Sequence, residues 1–240
     1  MQYALIHIGK CGGSSLRDAL ANQEIYGTIR PIHVKKPTVD KNTKYFIVAR
    51  DPIDRCISAF NWRKHLVLET KAQENRFAGE KDVLQEYLNF NSLCESLYTS
   101  DGYLDKSVSL KFESVHHLKE RISFYLFDFL RESEKEQLQG VLMQASLNED
   151  ISELFKINNK DSVRKKKNVR RESEYFLSEK AKNNLVSYIK DDYLCLVYLF
   201  RCGLIKRDQI ESILDKAGLS LNSEMLSSES LSILFSGTAK

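Results

Sequence analysis

Apolar positions along the chain alternate between two periods, and their order predicts repeated strand-to-helix units. Residues 3–9 form a short, nearly continuous apolar run, the pattern of a parallel strand buried on both faces. Leu16, Ala19 and Leu20 then recur at helical spacing over residues 14–23, with Ser14 or Ser15 placed to cap the helix start. A shorter extended segment covers Thr28–Val34, and Lys35-Lys36-Pro37 ends it, because proline disfavours helix in the residue before it. His33 lies near the end of that strand. Lys44–Arg50 is the clearest second buried strand. Asp51-Pro52 stops it and opens a helix that runs through Ile57, Phe60 and Trp62 toward Leu68.

The middle of the chain is less sharply patterned. Residues 69–82 are polar and read as a surface loop or a solvated helix end, and a helix is expected near 82–99. Ser107–Phe112 alternates like a strand, and Glu113–Arg131 reads as mostly helical and rich in aromatics. A helix or loop is expected from Leu147 to Asn159. The basic run Arg164–Arg171 follows, and Ser178–Tyr198 reads as one strong helix in which Tyr188, Asp192 and Tyr193 serve packing. A short amphipathic helix is expected over 206–216. These patterns assign residues 1–203 to one catalytic domain and 204–240 to a helical accessory tail.

Composition narrows the class without changing this outline. The 240 residues suffice for one α/β domain with a proper core, and 42% hydrophobic with 29% charged residues is ordinary for a soluble protein. A formal charge of +3 makes the chain no polycation, so local patches of charge matter more than the total. The five cysteines are scattered, with an odd count and no C-x-x-C pair, which favours reduced thiols over a disulfide framework or a zinc site. No signal peptide and no apolar run of membrane-spanning length are evident, so a cytoplasmic protein is expected.

The chemistry concentrates at the two clear strand-to-helix corners. In Gly9-Lys10-Cys11-Gly12-Gly13-Ser14-Ser15, adjacent glycines let the backbone approach a ligand, the helix start offers unpaired N–H groups, and Lys10 adds a full charge. The nucleotide loop G-x-x-x-x-G-K-[ST] carries its lysine after the second glycine, whereas here the lysine comes first. The segment instead resembles the Pro-Lys-Thr-Gly-Gly-Thr-Ser loop of sulfotransferases that use 3′-phosphoadenosine 5′-phosphosulfate (PAPS). The second corner, Val48-Ala-Arg50-Asp51-Pro52-Ile-Asp54-Arg55-Cys-Ile-Ser58, resembles the same family's 3′-phosphate segment: Arg-Asp-Pro, then Arg, then Ser. Arg50 can fork two N–H donors onto a phosphate and Ser58 can add a hydroxyl. Arg55 and Asp54 read as a surface salt bridge.

The resemblance implies a three-layer, P-loop-like α/β fold, a central and mainly parallel sheet flanked by helices, with both corners at the carboxyl edge where open α/β sheets bind ligands. It implies a sulfotransferase that moves the sulfuryl group from PAPS to a hydroxyl of a carbohydrate, with no metal required. Lys10 would act on the leaving oxygen, Gly12, Gly13, Ser14 and Ser15 on the 5′-phosphate, and Arg50 and Ser58 on the 3′-phosphate. Lys167 and Asn168 correspond to the family's late cofactor-contacting segment. Gly9 and Cys11 stand where the family has proline and threonine, so one hydroxyl contact is missing.

In carbohydrate-type members of the family the chain resembles, a histidine or acid between the two corners removes the acceptor's proton, which makes His33, at such a strand end, the expected general base. A neutral imidazole suits that task near pH 7, and the alternative is a structural histidine or one that only lines the pocket. His7 reads as core and His65 as a weaker base candidate. The pair His116-His117 lacks a third ligand at suitable spacing, so no metal site is assigned. Two rival readings remain. A nucleotide kinase or other NTPase would need the lysine elsewhere and a carboxylate for Mg²⁺. A non-catalytic module binding anionic glycans through 164–171 leaves the paired corners unexplained, and a nucleic-acid surface would want more basic area and stacking aromatics.

Overall fold

The computed structural model describes residues 2–20, 28–156, 175–227 and 231. In chain order the elements are β1 (Gln2–His7), α1 (Gly13–Leu20), β2 (Ile29–Ile32), β3 (Thr43–Ala49), α2 (Pro52–Lys64), α3 (Glu80–Glu86), α4 (Phe90–Glu95) and α5 (Lys106–Ser114). They continue as α6 (Ile122–Glu132), β4 (Leu138–Met143), α7 (Leu147–Phe155), α8 (Glu179–Tyr188), α9 (Lys190–Arg201) and α10 (Arg207–Lys216). The chain forms two compact units. One takes in the described residues up to Asp51, those from Ile122 to 156 and those from Asp191 onward; the other takes in Pro52–Arg121 and the described residues from 175 to Lys190.

The first unit is an α/β structure built on a parallel four-stranded sheet, in the order β2-β1-β3-β4, flanked by helices. β1 is central, with Ile6 opposite Ile32 on one side and Ile47 on the other. Ala4, Ile6, Ile47, Val48 and Ala49 are fully buried, which is why these strands read as unbroken apolar runs. Because β2 lies on one flank of β1 and β3 on the other, the strand order reverses beside the carboxyl end of β1. Open α/β sheets take ligands at such a point.

Buried carboxylates fix the surrounding helices. Asp192, fully buried, caps α6 by accepting from the amides of Ser123 at 2.8 Å and Ile122 at 3.3 Å. Asp150 accepts from the Met143 amide at 2.7 Å and the Ser146 hydroxyl at 3.0 Å, tying α7 to the end of β4. Gln209 of α10 donates to both Ser146 and Asp150.

The second unit is helical and packs around an aromatic row, Phe60, Phe90, Phe112 and Tyr188, with successive ring centroids 5.4, 6.1 and 5.0 Å apart. Arg63 and Glu80 form a buried two-pronged ion pair, Nε to Oε1 at 2.8 Å and Nη2 to Oε2 at 2.7 Å.

Three local expectations are corrected. Ser107–Phe112 is helix: Asp105 Oδ1 accepts from the amides of Ser107 and Val108, and the buried residues Val108 and Phe112 are one helical turn apart. Ser178–Tyr198 is two helices, because Ile189 leaves helical geometry at ψ 23° between α8 and α9. Arg55 is no surface residue. It is fully buried, and its Nη2 donates to the carbonyls of His117, at 2.6 Å, and Glu120. Strand β4 had no counterpart in the sequence pattern. Among the described residues no helix is long and apolar enough to cross a membrane.

Candidate active site at the carboxyl edge of the sheet

The loop between β1 and α1 turns tightly. The Cys11 amide bonds the Ile8 carbonyl at 3.3 Å, and Lys10 and Gly12 adopt positive φ values of 69° and 93°. The left-handed region is natural for glycine and costs an ordinary residue roughly 1–2 kcal/mol, so Lys10 sits in a conformation that the surrounding loop imposes. The first helical bond of α1 runs from the Leu16 amide to the Gly12 carbonyl at 3.0 Å. The amides of Gly13, Ser14 and Ser15 therefore have no acceptor within the helix, and they sit at its positive end.

The two glycines serve different ends. A Cβ on Gly12 would meet Gln144 Cγ at 3.1 Å, and the conformation itself already favours glycine. A Cβ on Gly13 would lie 1.9 Å from His7 Nε2 and 2.1 Å from its Cδ2, inside the imidazole ring. His7, expected as core, is instead a half-buried wall of this loop.

His33 follows β2 directly and stacks on that same ring, with centroids 4.2 Å apart and planes at 18°. Its Nδ1 lies 2.8 Å from the His7 backbone carbonyl. A carbonyl can only accept, so neutral His33 carries its proton on Nδ1 and leaves Nε2 with a lone pair. Burial, then the neighbouring His33 and Arg17, lowers the His7 pKa to about 4, so His7 is neutral near pH 7.

Arg50 is the first residue after β3. Its Nη1 donates to the Lys10 carbonyl at 3.4 Å, so the second corner braces the first, and its buried Nε has no hydrogen-bond partner. An orphaned guanidinium N–H beside a helix start is suited to an anion's oxygens. Lys216 pairs with the adjacent Asp51 at 3.5 Å.

Of the residues singled out from the sequence, Lys10, Gly12, Gly13, Ser14, Ser15, His33 and Arg50 all stand at the carboxyl ends of β1, β2 and β3 within the first unit. Ser58 belongs to the second unit, where it is buried in α2. Lys167 and Asn168, with the rest of the basic run, lie outside the described residues. Sequence reasoning missed His7 and Gln144. The apolar run Val141-Leu142-Met143 is the signal that could have placed β4, and hence Gln144 just beyond it.

Comparison with the curated proteins and with the solved structures gives no match. The Sulfotransferase family model does match, over residues 9–199, a span that opens on the Lys10 loop and takes in His33, Arg50 and Ser58; the chain therefore belongs to the sulfotransferase family.

Proposed function

We propose that the protein transfers the sulfuryl group of PAPS to a hydroxyl of a carbohydrate acceptor and releases 3′,5′-ADP. The observation that carries this reading is the convergence at one sheet edge of a glycine loop with its lysine, a helix start, Arg50 with an unpartnered N–H, and a histidine whose Nδ1 faces a backbone carbonyl, which in the neutral ring leaves the lone pair on Nε2. That edge offers anion donors on one side and a proton acceptor on the other, the two demands of sulfuryl transfer to an alcohol.

In this reading the amides of Gly12, Gly13, Ser14 and Ser15 hold the 5′-phosphate and Arg50 holds the 3′-phosphate, with Ser58 assigned to it by resemblance. Lys167 and Asn168 are assigned to the nucleotide on the same ground. His33 Nε2 takes the acceptor proton as the new sulfur–oxygen bond forms, and Lys10 neutralises the charge left on the bridging oxygen as the old bond breaks. A loose, in-line transfer needs little more than positioning and charge neutralisation, by analogy with phosphoryl transfer.

Calorimetric titration with 3′,5′-ADP, and with ATP and Mg²⁺ in parallel, tests the donor. Tight binding of the first alone supports it, and preference for the second overturns it. Labelled PAPS offered to a panel of glycans, peptides and small alcohols tests the acceptor; label moving only to a non-carbohydrate would refute that half.

A further inference from the structure

The second unit carries a cluster of ligating side chains unrelated to the residues assigned to the sulfuryl donor. Just after α5, one donor atom each from His116, His117 and Glu120 lies within 4.8 Å of the others. The sequence shows the adjacent histidines, but their third partner emerges only when the turn brings Glu120 back. From these residues we propose a binding site for a divalent metal of the zinc class, with two imidazole nitrogens and one carboxylate oxygen as ligands.

The turn is held in shape before any ion arrives. The Glu120 carboxylate accepts from the His117 amide at 2.7 Å, which fixes a carboxylate oxygen beside the histidine pair. Arg55, fully buried, donates from Nη2 to the His117 and Glu120 carbonyls and so braces the backbone of the turn, while its Nε and Nη1 have no hydrogen-bond partner. His117 sits at φ +70°, a left-handed conformation that these bonds hold in place. Glu80 lies close by, accepting from the His116 amide at 2.8 Å, but Arg63 already neutralises it. Glu120 is thus the anionic ligand.

His116 supplies the observation that asks for a ligand. Its ring stacks on Phe77 at 4.2 Å with planes at 8°, and its Nδ1 is buried without a hydrogen-bond partner. Its Nε2 stands 3.8 Å from Glu120 Oε2, beyond hydrogen-bond reach. A largely buried imidazole with neither nitrogen hydrogen-bonded is costly, and a metal ion bound at one of them would relieve part of that cost.

Tetrahedral zinc bonds of about 2.0–2.2 Å place donors roughly 3.5 Å apart, so closing the cluster takes side-chain shifts of about 1 Å. The nitrogen-rich set favours zinc-class ions over Mg²⁺ or Ca²⁺, which want all-oxygen ligands. Three protein ligands leave the fourth position to water.

The test is metal binding by the full chain, free of histidine tags and stripped with chelator. Zn²⁺ is titrated in competition with a chromophoric chelator, and Co²⁺ is followed by its visible absorption. One equivalent is expected to bind, with affinity reduced at least about tenfold in His117→Ala and in Glu120→Gln. His65→Ala, which removes an exposed histidine paired with Glu69, is expected to bind like the unaltered protein. Glu120→Gln keeps an oxygen acceptor for the His117 amide, so a loss there reads as lost ligation and not as lost fold. Absence of stoichiometric binding, or equal affinity in Glu120→Gln and the unaltered protein, overturns the site. Neither result bears on the donor-binding loop, whose own test is 3′,5′-ADP binding.

Discussion

Adding one methyl group at Gly13 tests the geometry of the site directly. The Cβ of Gly13→Ala would lie 1.9 Å from His7 Nε2, where ordinary contact begins near ~3.5 Å, so the imidazole or the loop must move by roughly 1.6 Å. Overpacking of this kind costs about 1–3 kcal/mol. The shift does not stop at His7, because His33 stacks on the displaced ring and bonds the His7 carbonyl. Misplacing a reacting group by ~1 Å can cost about 100-fold in rate. Gly13→Ala should therefore lower the melting temperature and reduce turnover by about two orders of magnitude, read by calorimetry and by transfer of label from PAPS. The double variant His7→Ala/Gly13→Ala removes the atoms in the way, so it should recover most of the lost stability. Turnover should stay low, since His33 then has no ring to stack on. A Gly13→Ala protein that melts and turns over like the unaltered one would refute the packing of His7 against the loop.

Further expectations follow from other groups. Neutral His7, with its pKa lowered from 6.5 to about 4, favours the folded state above pH 6.5, and this contribution is lost as pH falls toward 4, because the unfolded chain binds the proton first. The full difference is on the order of 3 kcal/mol, so His7→Gln should flatten the fall of melting temperature between those pH values; an unchanged slope would exclude His7 as its source. Lys10→Ala should depress turnover well beyond its effect on 3′,5′-ADP affinity, since the ammonium's contact strengthens as charge develops; equal losses would place Lys10 in ground-state binding only. Arg63→Ala leaves Glu80 buried without its partner and should cost about 3–5 kcal/mol in urea unfolding, against a smaller loss if both residues are replaced by apolar ones. Asp192→Ala uncaps α6 and should cost about 2 kcal/mol by the same measurement.

The elements legible in the sequence are those whose pattern is local. β1 and β3 are buried on both faces, so their strands are written as unbroken apolar runs, and the corner residues Lys10 and Arg50 follow from the turns that end them. α5 was misread because Ser107–Phe112 satisfies a period of two while Val108 and Phe112 also satisfy a helical turn; Asp105, two residues before Ser107, decides the matter as the cap. β4 escaped because Gln139 and Gly140 interrupt its apolar run, and the glycine reads as a breaker. The structure gives that glycine a packing reason, since a Cβ there would lie 2.6 Å from Leu154 Cδ2. Glu120 could not be paired with the histidines from spacing alone, because the left-handed turn at His117 sets their approach.

His7 was illegible for a deeper reason, and it alters the meaning of the glycine pair. Strand parity assigns a side chain to a face but not to the neighbour waiting there. From the sequence, Gly12-Gly13 reads as backbone cleared for a ligand. In the fold only Gly12 is demanded by conformation, and the space beside Gly13 is taken up by the His7 ring. Gly13 thus lets a neutral imidazole lie against the loop and against His33, so that a single ring touches both the proposed anion-binding backbone and the proposed base. The loop and His33 come from separate segments, yet His7 and its carbonyl couple their positions. A change meant to perturb the proposed phosphate loop at Gly13 should therefore register at His33 as well. Changes at Gly12, which faces Gln144, should leave the His7–His33 stack in place.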